Sequence, residues 1–118
     1  MCEVFLLRDL GPFELSVCGD VRGSGAALAI SAVLDHLPRD TDVVVDLRHV
    51  VFLDLDAAGA LARDVERRNR DDVRIVVLAT DPWISRLLLG VGLPSARLVA
   101  DDRAAHRLLA ELSLCLAS

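Results

Sequence analysis

Two nearly continuous β-branched runs, DVVVDL at 42–47 and VRIVVLA at 73–79, constrain this chain more than anything else in it. Runs without polar alternation belong to strands covered on both faces, typically deep in a parallel sheet. Between them Ala58, Leu61, Ala62 and Val65 recur at a helical period, with RDVERRNR supplying a charged opposite side. Parallel neighbours need such a crossover, so the centre of the chain reads as strand, helix, strand. The 118 residues suffice for one core, and a single domain spanning 1–118 is expected.

The flanking segments extend the alternation. CEVFLL (2–7) and FELSVC (13–18) are β-prone, with a turn expected at Gly11-Pro12 and a hairpin at or near a sheet edge. Phe13, Leu15 and Val17 alternate with Glu14 and Ser16, as in a strand with one buried face. Ile30, Val33, Leu34 and Leu37 mark a helix over about 25–37, stopped by Pro38. Asp81-Pro82 offers a cap and a first-turn proline to a helix carrying Ile84, Leu87, Leu88 and Val91, closed by Gly90 and Gly92. A short strand at 96–100 precedes a last helix with Ala105, Leu108, Leu109 and Leu112 on one side. The predicted order is β-β-α-β-α-β-α-β-α, an α/β fold with a mixed sheet of about five strands and about four helices.

Composition removes several functions. The net charge is −5, every basic residue is Arg, Tyr is absent, and the aromatics are three Phe and Trp83, too little to stack bases or neutralise phosphates, so nucleic acid is rejected. Cys2, Cys18 and Cys115 are scattered, and His36, His49 and His106 form no ligand spacing, so no disulfide framework, metal or cofactor is expected. MCEVFLLRDLGPF lacks a basic leader and no segment reaches spanning length without a charge, so a cytoplasmic protein without a membrane partner is expected. Gly19, Gly23 and Gly25 lack the Gly-Lys-Ser/Thr of a phosphate loop and read as loop residues. Trp83 reads as a packing residue, or, if exposed, as a contact residue.

The chemistry-bearing stretch is VVFLDLDAAGA at 50–60. Its Asp54-x-Asp56 resembles the first motif of haloacid dehalogenase phosphatases, which implies Asp54 as nucleophile with Mg²⁺, and Asp101 and Asp102 as distal carboxylates. Ala57-Ala58 replaces the usual Gly-Thr, and the expected Lys is missing.

Read with its neighbours, the same stretch resembles something else. VVVDLRHVVFLDLDAAGALARDVERR, RIVVLATDPWISRLLLGVGL and ARLVADDRAAHRLLAEL together are similar to the STAS domain of bacterial anti-sigma factor antagonists. Asp46-Leu47, Phe52-Leu53-Asp54, the Pro82 helix and Gly92-Leu93 stand in that family's order and spacing over about 13–114. The resemblance implies a non-enzymatic regulator that binds an anti-sigma factor or an ATPase-type protein kinase and so controls a sigma factor. A homodimer and a structural module of a larger signalling assembly remain open. It also implies a contact surface of Asp20, Arg22, Asp54, Leu55, Asp56, Ala57, Gly59, Arg63, Glu66 and Arg67.

Two positions depart from the family pattern. The phosphoacceptor Ser is replaced by Asp56, which cannot accept phosphate from a Ser kinase as a stable ester. Asp56 is read as the cap of a helix opening at Ala57, and alternatively as a permanent partial mimic of the phosphorylated state with about half a phosphoserine's charge. The usual loop Asp is replaced by Arg22, which is expected to approach Asp56. Asp54 is expected to hold the turn by hydrogen bonds.

Overall fold

The computed structural model describes the backbone of residues 2–8, 12–38, 40–70 and 73–117, and their side chains except at 8, 24, 69, 70 and 113–117. The expected turn at Gly11 and the side chain of Cys115 lie outside the described residues. Strands β1 (Cys2–Arg8), β2 (Phe13–Val21), β3 (Asp42–Leu53), β4 (Arg74–Leu78) and β5 (Leu98–Val99) form one sheet in the order β1-β2-β3-β4-β5. The β1–β2 pair is antiparallel and the others are parallel, so the sheet is mixed. Helices α1 (Gly23–Asp35), α2 (Leu55–Arg70), α3 (Pro82–Gly90) and α4 (Asp102–Ala117) interleave with the strands in the predicted order, and a short 3₁₀ turn, Ser95–Arg97, leads into β5.

The β-branched runs behave as their composition demands. Val43–Leu47 and Ile75–Ala79 are buried throughout, because helices cover both faces. On one face α1, α2 and α3 enclose a core that includes Leu15, Val17, Val45, Leu61, Val65, Ile75 and Leu88. On the other, α4 brings Ala105 and Leu109 against Val44, Val76 and Leu78. The helical periods select the faces that are buried: Ile30 and Leu34, Ala58 to Val65, Ile84 and Leu88, Ala105 and Leu109. No helix among the described residues is long and apolar enough to cross a membrane.

Strand β3 runs on to Leu53, well past the predicted end at 47, so VVFL is strand as well. Its pairing to β2 passes through two register shifts, between Ser16 and Cys18 and between Gly19 and Asp20, and resumes at Asp20↔Phe52 and Val21↔Leu53. The turns after β2 and β3 are therefore side by side.

Beneath α4 lies a charged clasp. Asp46, 2% exposed, accepts from the Arg48 backbone N–H at 2.9 Å and from the Arg48 guanidinium at 3.0 and 2.9 Å, one bond to each oxygen of the fork. The same guanidinium lies 3.7 Å from Glu14 and 3.5 Å from Asp102 in the first turn of α4, tying helix to sheet. Burial pushes the Asp46 carboxyl up, but the Arg48 hydrogen bonds outweigh it and hold it below the ordinary range. Glu14 is raised, by burial first and then by the neighbouring Asp102 and Asp46.

The two carboxyls therefore act oppositely on stability. Asp46 contributes stability that is present above its unfolded pKa and lost as pH falls through its lower folded value. Glu14 contributes stability present below its unfolded pKa and lost as pH rises through its higher folded value. Glu14→Gln, which cannot ionise, is expected to raise the stability at pH 7, by less than about 1 kcal/mol at this partly solvated site, and the thermal midpoint with it. The gain should vanish as the pH approaches 4, near the ordinary carboxyl range. Thermal melts of both proteins at pH 7 and pH 4 check this, and a variant no more stable than wild type at pH 7 contradicts it.

Candidate functional site

The turn from β3 into α2 is built around Asp54. Helix α2 starts at Leu55, so Asp54 is its N-cap: the Asp54 carbonyl accepts from Ala58 N–H at 2.9 Å and its Oδ1 accepts from Ala57 N–H at 2.8 Å. The other oxygen, Oδ2, accepts from the Gly23 N–H at 2.7 Å, across 31 residues of sequence. Gly23 has φ +71°, a left-handed conformation that glycine takes without Cβ strain. One carboxylate thus fastens the β2–α1 turn to the β3–α2 turn, and the Asp54 N–H donates to the Val21 carbonyl at 3.1 Å to complete the join.

The cap expected of Asp56 therefore belongs to Asp54. Asp56 lies one residue inside the helix, in its first turn, where a negative charge suits the positive end of the helix dipole. Its side chain is exposed and makes no hydrogen bond or ion pair to a described residue. The expected approach of Arg22 is not made either. Arg22 lies 3.8 Å from Asp20 and stacks over the Phe52 ring, 4.3 Å from its centroid. Asp20, two residues before it, and Phe52, opposite Asp20 in the sheet register, are simply nearer partners.

The remaining predicted site residues divide by burial. Ala57 and Gly59 are buried and give the turn its packing, while Leu55, Arg63, Glu66 and Arg67 face solvent. A Cβ at Gly59 would stand 3.4 Å from Arg63 Nη1, so the Arg63 side chain arches closely over this glycine. Sequence reasoning named Leu55 but missed Val51 and Phe52. Val51 is 78% exposed, Leu55 64% and Phe52 39%, so large apolar side chains face solvent at the end of β3 and the start of α2. Val51 and Phe52 are both exposed because the register shift between Gly19 and Asp20 leaves Val51 as an extra residue in β3 and breaks the strand alternation, which VVFL alone does not announce. Trp83 is 68% exposed at the start of α3, which removes the packing reading and leaves it a contact candidate.

The carboxylates are not gathered for metal-assisted chemistry. Both oxygens of Asp54 are bound by backbone N–H groups, Asp101 caps α4 by accepting from the Ala104 N–H at 2.7 Å, and Asp102 faces Arg48. Among the described residues there is no cluster of three or more His, Cys, Asp or Glu side chains able to hold a metal ion.

The architecture is the STAS fold, which solved structures of an anti-sigma factor antagonist and of a SulP transporter domain share. An anti-sigma factor antagonist from Mycobacterium paratuberculosis matches with a TM-score of 0.75 and 22% identity, over 93% of this chain and 95% of that one. A sulfate transporter family protein from Wolinella succinogenes matches at 0.73 and 18%, over 92% of each chain. The STAS domain of a SulP transporter from Vibrio cholerae matches at 0.58 and 15%, over 87% of this chain and 84% of that one. No protein-family model matches the sequence, and no curated protein matches it.

Proposed function

We propose that this STAS domain is a protein-binding regulator of the anti-sigma factor antagonist kind, acting without chemistry of its own. Its partner is an anti-sigma factor or an ATPase-type kinase, and its contact surface comprises the turns at Asp20–Arg22 and Asp54–Gly59 with the exposed side of α2. The observation that carries the reading is the division of labour in the β3–α2 turn. Both oxygens of Asp54 are engaged inside the molecule, while Asp56 and the apolar Leu55 beside it are exposed in a concavity shared with Arg63, and Val51 and Phe52 at the end of β3 are exposed as well. A surface of that composition fits partner binding, and the full-length likeness to an antagonist supports this partner class. With Asp at the acceptor position, binding is not switched by phosphorylation there.

The test is affinity capture from cells that encode the protein, with wild type and Asp56→Ser as baits and bound proteins identified by mass spectrometry. Recovery of an ATPase-type kinase or a sigma regulator by wild type is the expected result. Capture of such a protein by Asp56→Ser alone would make Asp56 a built-in off state. If neither bait recovers one, the antagonist reading falls.

A further inference from the structure

Helices α1 and α2 pack side by side and leave a groove whose floor is Ala27 and Ala60. Leu28 stands on one wall, 68% exposed, an aliphatic side chain with little of its surface covered. The opposite wall is basic. Arg63 is exposed and makes no hydrogen bond or ion pair to a described residue. Arg67, 62% exposed, holds Asp64 Oδ1 at 2.7 Å, and Asp64 Oδ2 is already occupied by Arg68 at 3.0 Å. The wall thus carries guanidinium charge beyond what its one carboxylate neutralises, on a chain whose net charge is −5.

Small residues on the floor allow another backbone or side chain to approach closely. An exposed leucine beside them offers an apolar anchor, and the uncompensated Arg63 calls for an anion. We infer that the α1–α2 groove docks an amphipathic helix of a protein partner, seating an aliphatic side chain against Ala27, Leu28 and Ala60 and an acidic side chain one turn away on Arg63 and Arg67. Such a helix presents its anchor and its charge at i and i+3 or i+4, on one face. This rests on the protein-binding reading above and adds the chemistry of the partner.

Two measurements separate this inference from the reading it rests on. In the capture experiment, a Leu28→Ala/Arg63→Ala bait with an unchanged thermal midpoint is compared with wild type. At least a tenfold drop in recovery of the regulator is expected, and equal recovery overturns the groove while leaving the partner class standing. Independently, a displayed library of helical peptides is selected on the purified wild-type protein and counter-selected on Leu28→Glu/Arg63→Glu. Enrichment of peptides with Asp or Glu one turn from Leu, Ile or Met supports the groove even if capture recovers nothing. Basic or unpatterned winners, peptides that bind both proteins equally, or no enrichment overturn it. So does a wild-type dimer in sedimentation that the Leu28→Ala/Arg63→Ala change dissolves, since the occupant would then be a second copy of this chain.

Discussion

Replacing Arg68 by alanine is expected to destabilise the domain by about 3 kcal/mol, the lower end of what breaking a buried ion pair costs. Arg68 is 8% exposed and links α2 to α1: its Nε donates to Asp64 at 3.0 Å, and its Nη2 to Asp35 at 2.6 Å, Ser31 Oγ at 2.9 Å and the Ser31 carbonyl at 3.1 Å. Burial opposes the charge, and the hydrogen bonds and charges of Asp64 and Asp35 outweigh it, keeping the guanidinium firmly protonated. Without it, Asp64, 12% exposed, keeps Arg67 and a long 3.4 Å bond from the Ser31 hydroxyl, while the Ser31 carbonyl and Asp35 lose their donor. In a domain of this size the loss should lower the thermal midpoint by roughly 10 °C. Arg68→Met combined with Asp64→Leu should recover most of it, because a well-packed apolar pair leaves no buried charge unpaired. Thermal melts of the single and double variants decide. A single variant within about 0.5 kcal/mol of wild type, the range of an ordinary surface change, would show that the network contributes little.

That network explains what could be read along the chain and what could not. Strands, helix faces and element order follow from local periodicity, and DVVVDL, VRIVVLA and Ala58–Val65 carried them. The length of β3 was hidden because Arg48 and His49 interrupt the apolar run, while the strand continues on backbone pairing alone, with Cys18 opposite His49. Arg68 sat inside RDVERRNR and read as solvated charge. Its partners Ser31 and Asp35 lie 37 and 33 residues away, and no local pattern announces them. The site shows the same divide. The turn was visible in FLDLD, but which Asp caps the helix depends on where the helix begins. The true start at Leu55 puts Asp54 at the cap and leaves Asp56 without a partner among the described residues. Arg22 was assigned to Asp56 because charge signs alone cannot rank partners, whereas register places Phe52 beside Asp20 and within reach of Arg22. Leu28 stands off the Ile30, Val33, Leu34 and Leu37 stripe, so the helical period already leaves it outside the core.

Asp54→Ala should separate the two aspartates by their effects. Loss of an N-cap alone costs about 1 kcal/mol. Here the same side chain also accepts from the Gly23 N–H, and a hydrogen bond to a charged group is worth roughly 1.5–3 kcal/mol, so a total near 3 kcal/mol is expected. Asp54→Asn keeps one acceptor oxygen and turns an amide N–H toward a backbone donor, so it can preserve the cap or the link to Gly23 but not both. About half the loss should remain. Asp56→Ala removes an exposed charge without a described partner, and only its interaction with the helix dipole is lost, about 0.5 kcal/mol. In partner binding the ranking turns on a different quantity. Asp54→Ala would act by releasing the β2–α1 turn from the β3–α2 turn, so its defect should shrink at lower temperature, where the fold is retained. Asp56 substitutions would change affinity at unchanged stability. Denaturant unfolding and binding isotherms on the three variants distinguish these roles: an Asp54→Ala protein as stable as wild type would remove the clasp, and an Asp56→Ala protein as unstable as Asp54→Ala would make Asp56 structural after all.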